Sequence, residues 1–98
     1  MKDFSLDIYR ELLETLQRQG YELIGYADYL KAKRQEQSAK RFVILRHDVD
    51  ARPQNSLKTA QIQHALGAKA TYYFRVGSES NVPEVIKAIA KLGHEIGY

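Results

Sequence analysis

The amino-acid sequence predicts an α/β fold made of βαβ units with a parallel sheet. From residue 42 onward, β-rich apolar runs alternate with helical patterns in the order strand, helix, strand, helix, strand. The first run is continuously apolar, which is typical of a parallel strand buried on both faces. At 98 residues the chain is one small domain or a piece of a larger one. We expect an N-terminal helical region over residues 1–41 and a βαβαβ part over residues 42–98.

The N-terminal region begins with a clear amphipathic pattern. A helix is predicted over residues 6–19, from apolar residues three and four positions apart: Leu6, Tyr9, Leu12, Leu13 and Leu16. Gly20 stands where a left-handed helix cap is expected. Residues 21–26 favour a short extended segment, and Asp28 is expected to open a second helix. Residues 34–40 have no apolar anchor and indicate a helix tail or a surface loop.

Strands and helices then alternate from residue 42. Residues 42–45 are predicted to form the first strand, and a polar loop containing Pro53 and Asn55 follows it. A helix is expected over residues 56–66 and a second strand over residues 70–76.

The next helix carries stronger start signals. Asn81 and Glu84 have the spacing of a capping box, and Pro83 suits a first helical turn. Gly93 is expected to end this helix, and residues 95–98 begin a third apolar segment.

Composition and charge exclude several classes of protein. The chain has no cysteine, so disulfides and thiolate metal sites are excluded. The N-terminus lacks the apolar core of a signal peptide, and no apolar run approaches the length of a membrane span, so we expect a cytoplasmic protein. The net charge is +3, with a cluster of basic residues at Lys31, Lys33, Arg34, Lys40 and Arg41. We interpret this cluster as a solvated surface; no nucleic-acid-binding motif supports the alternative of a phosphate or nucleic-acid site.

The stretch of the chain with the most chemical content is Arg46–His47–Asp48–Val49–Asp50. It is expected to follow the first strand, where open α/β sheets place their ligands. Residues two apart in an extended segment point to the same side, so Asp48 and Asp50 should face one site while His47 points elsewhere. In such a pair, one carboxylate can bind a metal ion while the other accepts a proton. The alternative is structural, because aspartate is also common after strands, where it forms hydrogen bonds to the turn.

Three separated motifs resemble the polysaccharide deacetylase family. They are the run at residues 43–50 with its His-Asp-Val-Asp centre, the Ala-Thr-Tyr-Tyr-Phe segment at residues 70–74, and Leu-Gly-His-Glu-Ile-Gly-Tyr at residues 92–98. The resemblance covers residues 42–98 in order, and its closest branch is associated with bacterial surface polysaccharides. It implies a deformed β/α barrel that hydrolyses N-acetyl groups from a sugar or glycan.

The resemblance also implies the roles of individual residues. Asp48 matches the family's general base, and Asp50 matches a ligand of the metal, usually zinc. The family's two histidine ligands follow the segment that ends at Tyr98, so the 98-residue chain should not bind zinc tightly or catalyse the reaction alone.

The remaining polar candidates are His47, His64, His94 and Arg75. His47 is expected beside the aspartates, where it could orient one of them. His94 is interpreted as structural, serving the last carbonyl groups of the preceding helix, and His64 as a surface or core residue. Arg75 should lie on the rim that carries the aspartates, in contact with a sugar hydroxyl, a phosphate or a carboxylate. Tyr72, Tyr73 and Phe74 are predicted to pack in the core.

Two alternatives to the hydrolase remain. The chain could be a non-catalytic remnant of the fold that associates with itself through an exposed sheet edge, because three parallel strands make a small sheet. Asp48 and Asp50 could instead hold magnesium or calcium, for which Glu79 and Glu95 are the nearest further carboxylates.

Overall fold

Helices and parallel strands alternate along the computed structural model, which describes residues 4–35, 41–49, 53–75 and 81–98. The predicted α/β class is therefore confirmed. Within those ranges the elements are α1 (Phe4–Arg18), β1 (Tyr21–Ile24), α2 (Tyr26–Arg34), β2 (Arg41–Ile44), β3 (Arg46–Val49), α3 (Pro53–Ala65), β4 (Thr71–Phe74), α4 (Pro83–Lys91) and β5 (Glu95–Gly97).

The strands form two small parallel sheets. One pairs β1 with β2, and the other has the order β3-β4-β5. Leu45 joins the two sheets: its N–H donates to the Ile24 carbonyl, and its own carbonyl accepts from the N–H of Thr71. The chain thus passes from one partner strand to another at this residue, and residues 41–49 form two strands where the sequence predicted one.

The helix starts differ from the predicted ones. α3 begins at Pro53, which the sequence analysis placed in a loop. A proline suits a first helical position because the N–H that it lacks would have no partner inside the helix. The capping box at Asn81 was wrong: Val82 occupies the N-cap of α4 and makes no side-chain cap hydrogen bond, so Pro83 is the first helical residue.

The helix ends agree with the sequence. Gly20 and Gly93, which were expected to terminate helices, have positive φ angles of 91° and 93°. This left-handed conformation costs a residue with a Cβ atom about 1–2 kcal/mol, and glycine adopts it freely.

Apolar side chains form two buried clusters. The larger lies between α3, α4 and one face of the three-stranded sheet, with Ala60, Tyr72, Phe74 and Ile89 at its centre. The smaller joins Leu13 of α1 to Leu23 of β1 and to Ala68, just before β4. Described residues of the N-terminal 41 therefore contribute both a strand and core side chains. Among the described helices, none is long and apolar enough to cross a membrane.

The three-stranded sheet has two unlike faces. Because side chains alternate along a strand and parallel neighbours share a face, the register assigns His47, Val49, Tyr72, Phe74 and Ile96 to the helix-covered face. The opposite face carries Arg46, Asp48, Thr71, Tyr73, Glu95 and Gly97.

Candidate active site

Asp48 lies within strand β3, near the end where the chain leaves the sheet. It was expected in an extended segment at the end of the first strand, and it is paired in register with Tyr73 of β4. Its side chain lies on the face opposite that of His47, as the alternation of a strand predicts. Asp50, the predicted metal ligand, lies outside the described residues, and so does Glu79.

Arg46 is the nearest charged neighbour of Asp48. Two of its guanidinium nitrogens, Nε and Nη2, each lie 3.2 Å from Oδ1 of the carboxylate. The two side chains are 63% and 65% exposed, so the ion pair contributes about 1 kcal/mol or less to stability. Its effect is therefore mainly to orient the carboxylate.

The Arg46 guanidinium also lies 4.5 Å from the centroid of the Tyr73 ring. Gly97, which pairs with Tyr73 from the neighbouring strand β5, leaves room for this ring. A Cβ atom at Gly97 would lie 2.6 Å from the Tyr73 Cε1 atom, which is too close for any side chain. Tyr73 was predicted to be a core residue, but it is only half-buried and faces the site.

An open cleft of about 400 Å³ lies over Asp48. Its wall comes from the carboxyl ends of the three strands of one sheet and from residues just after them: Arg46, Asp48, Val49, Tyr73, Phe74, Arg75 and Tyr98. Parallel α/β sheets commonly place ligand sites at this edge. Arg75 therefore lines the same cleft as Asp48, on the rim that the sequence analysis expected.

His47 points to the other side of the sheet and enters a polar cluster. Its ring stacks on Tyr72 with the centroids 4.7 Å apart. Its Nε2 atom lies 2.8 Å from Nε2 of Gln63 and 3.4 Å from the hydroxyl of Tyr9. Burial lowers the pKa of the His47 imidazole; nearby His94 adds to the lowering and Asp48 opposes it. His47 is therefore neutral at neutral pH.

Gln63 is the residue of this cluster that sequence reasoning missed. It is fully buried in α3. The hydroxyl of Tyr72 donates to its Oε1 atom at 2.6 Å, and its amide nitrogen donates to the Tyr9 hydroxyl at 2.7 Å. The weak apolar pattern of residues 56–66 was the available signal, because a glutamine on the inner face of a helix interrupts that pattern.

His94 is buried and structural, as predicted, but its partners differ from the expected ones. Its Nδ1 atom accepts from the N–H of Ala70, and its Nε2 atom lies 2.9 Å from the Ala60 carbonyl, to which it donates. The ring thus ties Ala70, the residue before β4, to α3 rather than capping α4. His64 is exposed, and its Nδ1 atom lies 3.1 Å from the carbonyl of Leu92, the C-cap residue of α4.

Glu95 lies away from Asp48, at the start of β5. Its carboxylate accepts hydrogen bonds from the backbone N–H groups of Ala27 and Asp28, at 2.8 and 3.1 Å, and from the Thr71 hydroxyl. Both carboxylate oxygens therefore already accept hydrogen bonds at the N-terminus of α2. Glu95 is therefore not the further magnesium or calcium ligand that the sequence analysis considered.

The described residues fit a metal ion only in part. Asp48 presents a carboxylate to an open cleft, but the two other charged side chains of that cleft, Arg46 and Arg75, are cations. Nowhere in the described ranges do three side chains of the histidine, cysteine, aspartate and glutamate types come close enough to hold a metal. A catalytic zinc generally needs about three protein ligands. The described side chains alone do not make such a site.

Comparison of the chain with protein-family models, curated proteins and solved structures found no match. The geometry of the cleft and the three sequence motifs are therefore the observations on which a function can be argued.

Proposed function

We propose that this chain is part of a metal-dependent hydrolase that removes N-acetyl groups from a carbohydrate. The observation that carries the proposal is the position of Asp48, exposed in a cleft at the carboxyl edge of parallel strands. The resemblance of residues 42–98 to polysaccharide deacetylases supplies the reaction class.

In the proposed reaction, water attacks the carbonyl carbon of the acetyl group, the bond between that carbon and the sugar nitrogen breaks, and the nitrogen takes up a proton, so that acetate and a free amine are formed. Asp48 accepts the proton of the attacking water, and Arg46 fixes the direction of the carboxylate through Oδ1. Asp50 is the proposed metal ligand. A divalent ion such as zinc, when bound, would polarise the acetyl carbonyl.

The walls of the cleft suit a sugar. Tyr73, Arg75 and Tyr98 bring hydrogen-bonding groups to the same edge, beside the apolar residues Val49 and Phe74. Ligand sites commonly combine apolar walls with a few polar groups that orient the ligand. We propose an N-acetylated sugar of a surface glycan as the substrate.

The test is release of acetate by the protein as its native gene encodes it, at its natural length. With zinc and an N-acetylated oligosaccharide, the wild type should release acetate. Asp48→Asn keeps the size of the side chain but removes the base, so kcat/KM should fall about 100-fold or more.

Asp28→Asn is the matched control, because Asp28 lies on α2 outside the cleft and should leave activity unchanged. No acetate release by a folded wild-type protein with zinc, or an active Asp48→Asn variant, would contradict the proposal.

A further inference from the structure

The side-chain amide of Gln63 connects three aromatic side chains. It lies between the hydroxyls of Tyr9 and Tyr72 and the ring of His47, at 2.7, 2.6 and 2.8 Å. These groups come from α1, β4 and β3, so a single amide in α3 links them. Gln63 and Tyr72 are both 0% exposed, which leaves no room for water to replace a missing partner.

The number of hydrogens in the cluster decides which way the amide faces. With its oxygen toward Tyr72, the hydroxyl of Tyr72 has an acceptor, and the two amide N–H groups reach the Tyr9 oxygen and His47 Nε2. With the amide reversed, the amide NH2 group would face the Tyr72 hydroxyl. One amide hydrogen could then bond to the Tyr72 oxygen, but the hydroxyl hydrogen of Tyr72 would have no acceptor in the cluster. A buried polar hydrogen without a partner costs about 1–3 kcal/mol.

The hydroxyl of Tyr72 keeps its hydrogen at every ordinary pH. Burial raises the pKa of Tyr72, nearby Tyr9 adds to the rise, and the hydrogen bond between Tyr72 and Gln63 opposes it. The neutral hydroxyl has a hydrogen to donate and Gln63 Oε1 lies 2.6 Å away, so the amide nitrogen lies on the opposite side and donates. Nε2 of His47 is then an acceptor, which places the ring hydrogen of the neutral imidazole on Nδ1.

We propose that Gln63 is a positioning residue that holds His47 neutral with its proton on Nδ1, so that the lone pair of Nε2 accepts from the amide and is not free to bind a metal ion. This arrangement of hydrogen bonds lies on the helix-covered face of the sheet and is independent of the chemistry proposed for Asp48 on the other face. Outer hydrogen bonds of this kind set the tautomer and ring orientation of histidines near metal and catalytic centres.

The tautomer can be measured directly by long-range proton–nitrogen NMR on the 15N-labelled 98-residue chain at pH 7.5. The signals of His47 are assigned by their loss in His47→Asn. We expect the chemical shift of Nδ1 to be that of a protonated nitrogen and the shift of Nε2 to be that of an unprotonated one. The reverse pattern would overturn the proposal, and this measurement needs no variant of Gln63.

Gln63→Glu should reverse the arrangement without changing the size of the side chain. A carboxylate at this position accepts where the amide donated, so His47 should become protonated on Nε2, and its titration midpoint should rise by about one pH unit or more. Gln61→Glu is the matched control, because Gln61 is exposed on the same helix and its substitution adds the same charge.

We expect the Gln61→Glu chain to keep the wild-type tautomer. An unchanged tautomer and midpoint in a folded Gln63→Glu chain would overturn the role of Gln63. Because these spectra require neither metal nor substrate, their outcome is separate from that of the deacetylation assay.

Discussion

At the scale of single residues, His94 makes a contact that depends on its charge state. Its neutral ring accepts from the Ala70 N–H on one side and donates to the Ala60 carbonyl on the other. Burial lowers the pKa of His94, and the Ala60 hydrogen bond opposes that effect. A protonated ring would place two N–H groups face to face at Ala70, so the folded state favours the neutral form.

The stability of the fold should therefore decrease in acid. The pKa of His94, and that of His47, is lower in the folded chain than the ordinary value near 6.5. As pH falls below that value the unfolded chain binds protons first, so the free energy of unfolding should decrease between pH 8 and pH 5.5. Urea denaturation at several pH values measures this.

Variants separate the contribution of His94 from that of other groups. His94→Gln should lower stability at pH 8 by about 1–3 kcal/mol, because buried groups lose a partner, and should flatten the dependence on pH. Gln61→Ala changes an exposed, uncharged residue of α3 and should retain the wild-type dependence. A pH dependence that is the same in His94→Gln as in the wild type would contradict this account.

At the scale of elements, α2 is capped from outside its own segment. Its N-cap is Gly25, which has no side chain to offer, and Asp28 was wrongly expected to open the helix. The first N–H groups donate instead to Thr71 of β4 and Glu95 of β5. A carboxylate at this end also complements the positive end of the helix dipole. α2 buries no residue completely, so these bonds are a large share of its attachment.

Removing the cap should loosen α2 more than the rest of the fold. Glu95→Gln keeps the shape but replaces one acceptor oxygen by a donor, and should lower the free energy of unfolding by about 1 kcal/mol. Hydrogen exchange should increase at residues 26–34 in particular. Glu11→Gln on the exposed side of α1 is the control and should change neither measurement; equal exchange in α1 and α2 of Glu95→Gln would refute the cap.

Gly25→Ala tests the same contact from the other side. A Cβ atom here would lie 2.5 Å from Oε2 of Glu95 and 2.9 Å from the Thr71 hydroxyl oxygen. The carboxylate must move away, so stability should fall by about 1–3 kcal/mol. Thermal unfolding measures the loss, and the same substitution in a Glu95→Gln background should not cost the full sum, because both remove one interaction.

At the scale of the whole molecule, the three-stranded sheet has an open edge. In the described part of the chain, β5 pairs with β4 alone. Tyr98, just after β5, is 71% exposed, and Ile8 on α1 is 66% exposed. An uncovered strand edge beside an apolar side chain favours pairing with another strand.

We therefore expect the 98-residue chain to self-associate through the edge of β5. Sedimentation velocity over a range of concentrations should show species heavier than the 11.3 kDa chain. Tyr98→Lys places a charge beside the edge and should weaken association, whereas Ile8→Lys, on a helix, should not. A monomer at all concentrations, or a larger effect of Ile8→Lys, would count against this edge as the interface.

The sequence alone determined the class of fold and the alternation of its helices and strands, although not the division of residues 41–49 between two sheets. Local patterns carry this information: the spacing of apolar residues defined α1, the β-rich runs defined the strands, and glycines marked where helices end. The alternation of a strand also placed Asp48 and His47 on opposite faces, because it depends only on backbone geometry. Helix starts were less predictable, as Pro53 and Val82 demonstrate.

Only the tertiary structure decided what each polar residue contacts. Glu95 caps a helix 67 and 68 positions away in sequence, and Gln63 reaches Tyr9 across 54 positions. No local pattern encodes such pairs, because they depend on how elements pack and on which buried donors need acceptors. The same reason explains Tyr73: alternation places its side chain opposite Tyr72 and Phe74, but only the packing of the elements decides which face of the sheet the helices cover.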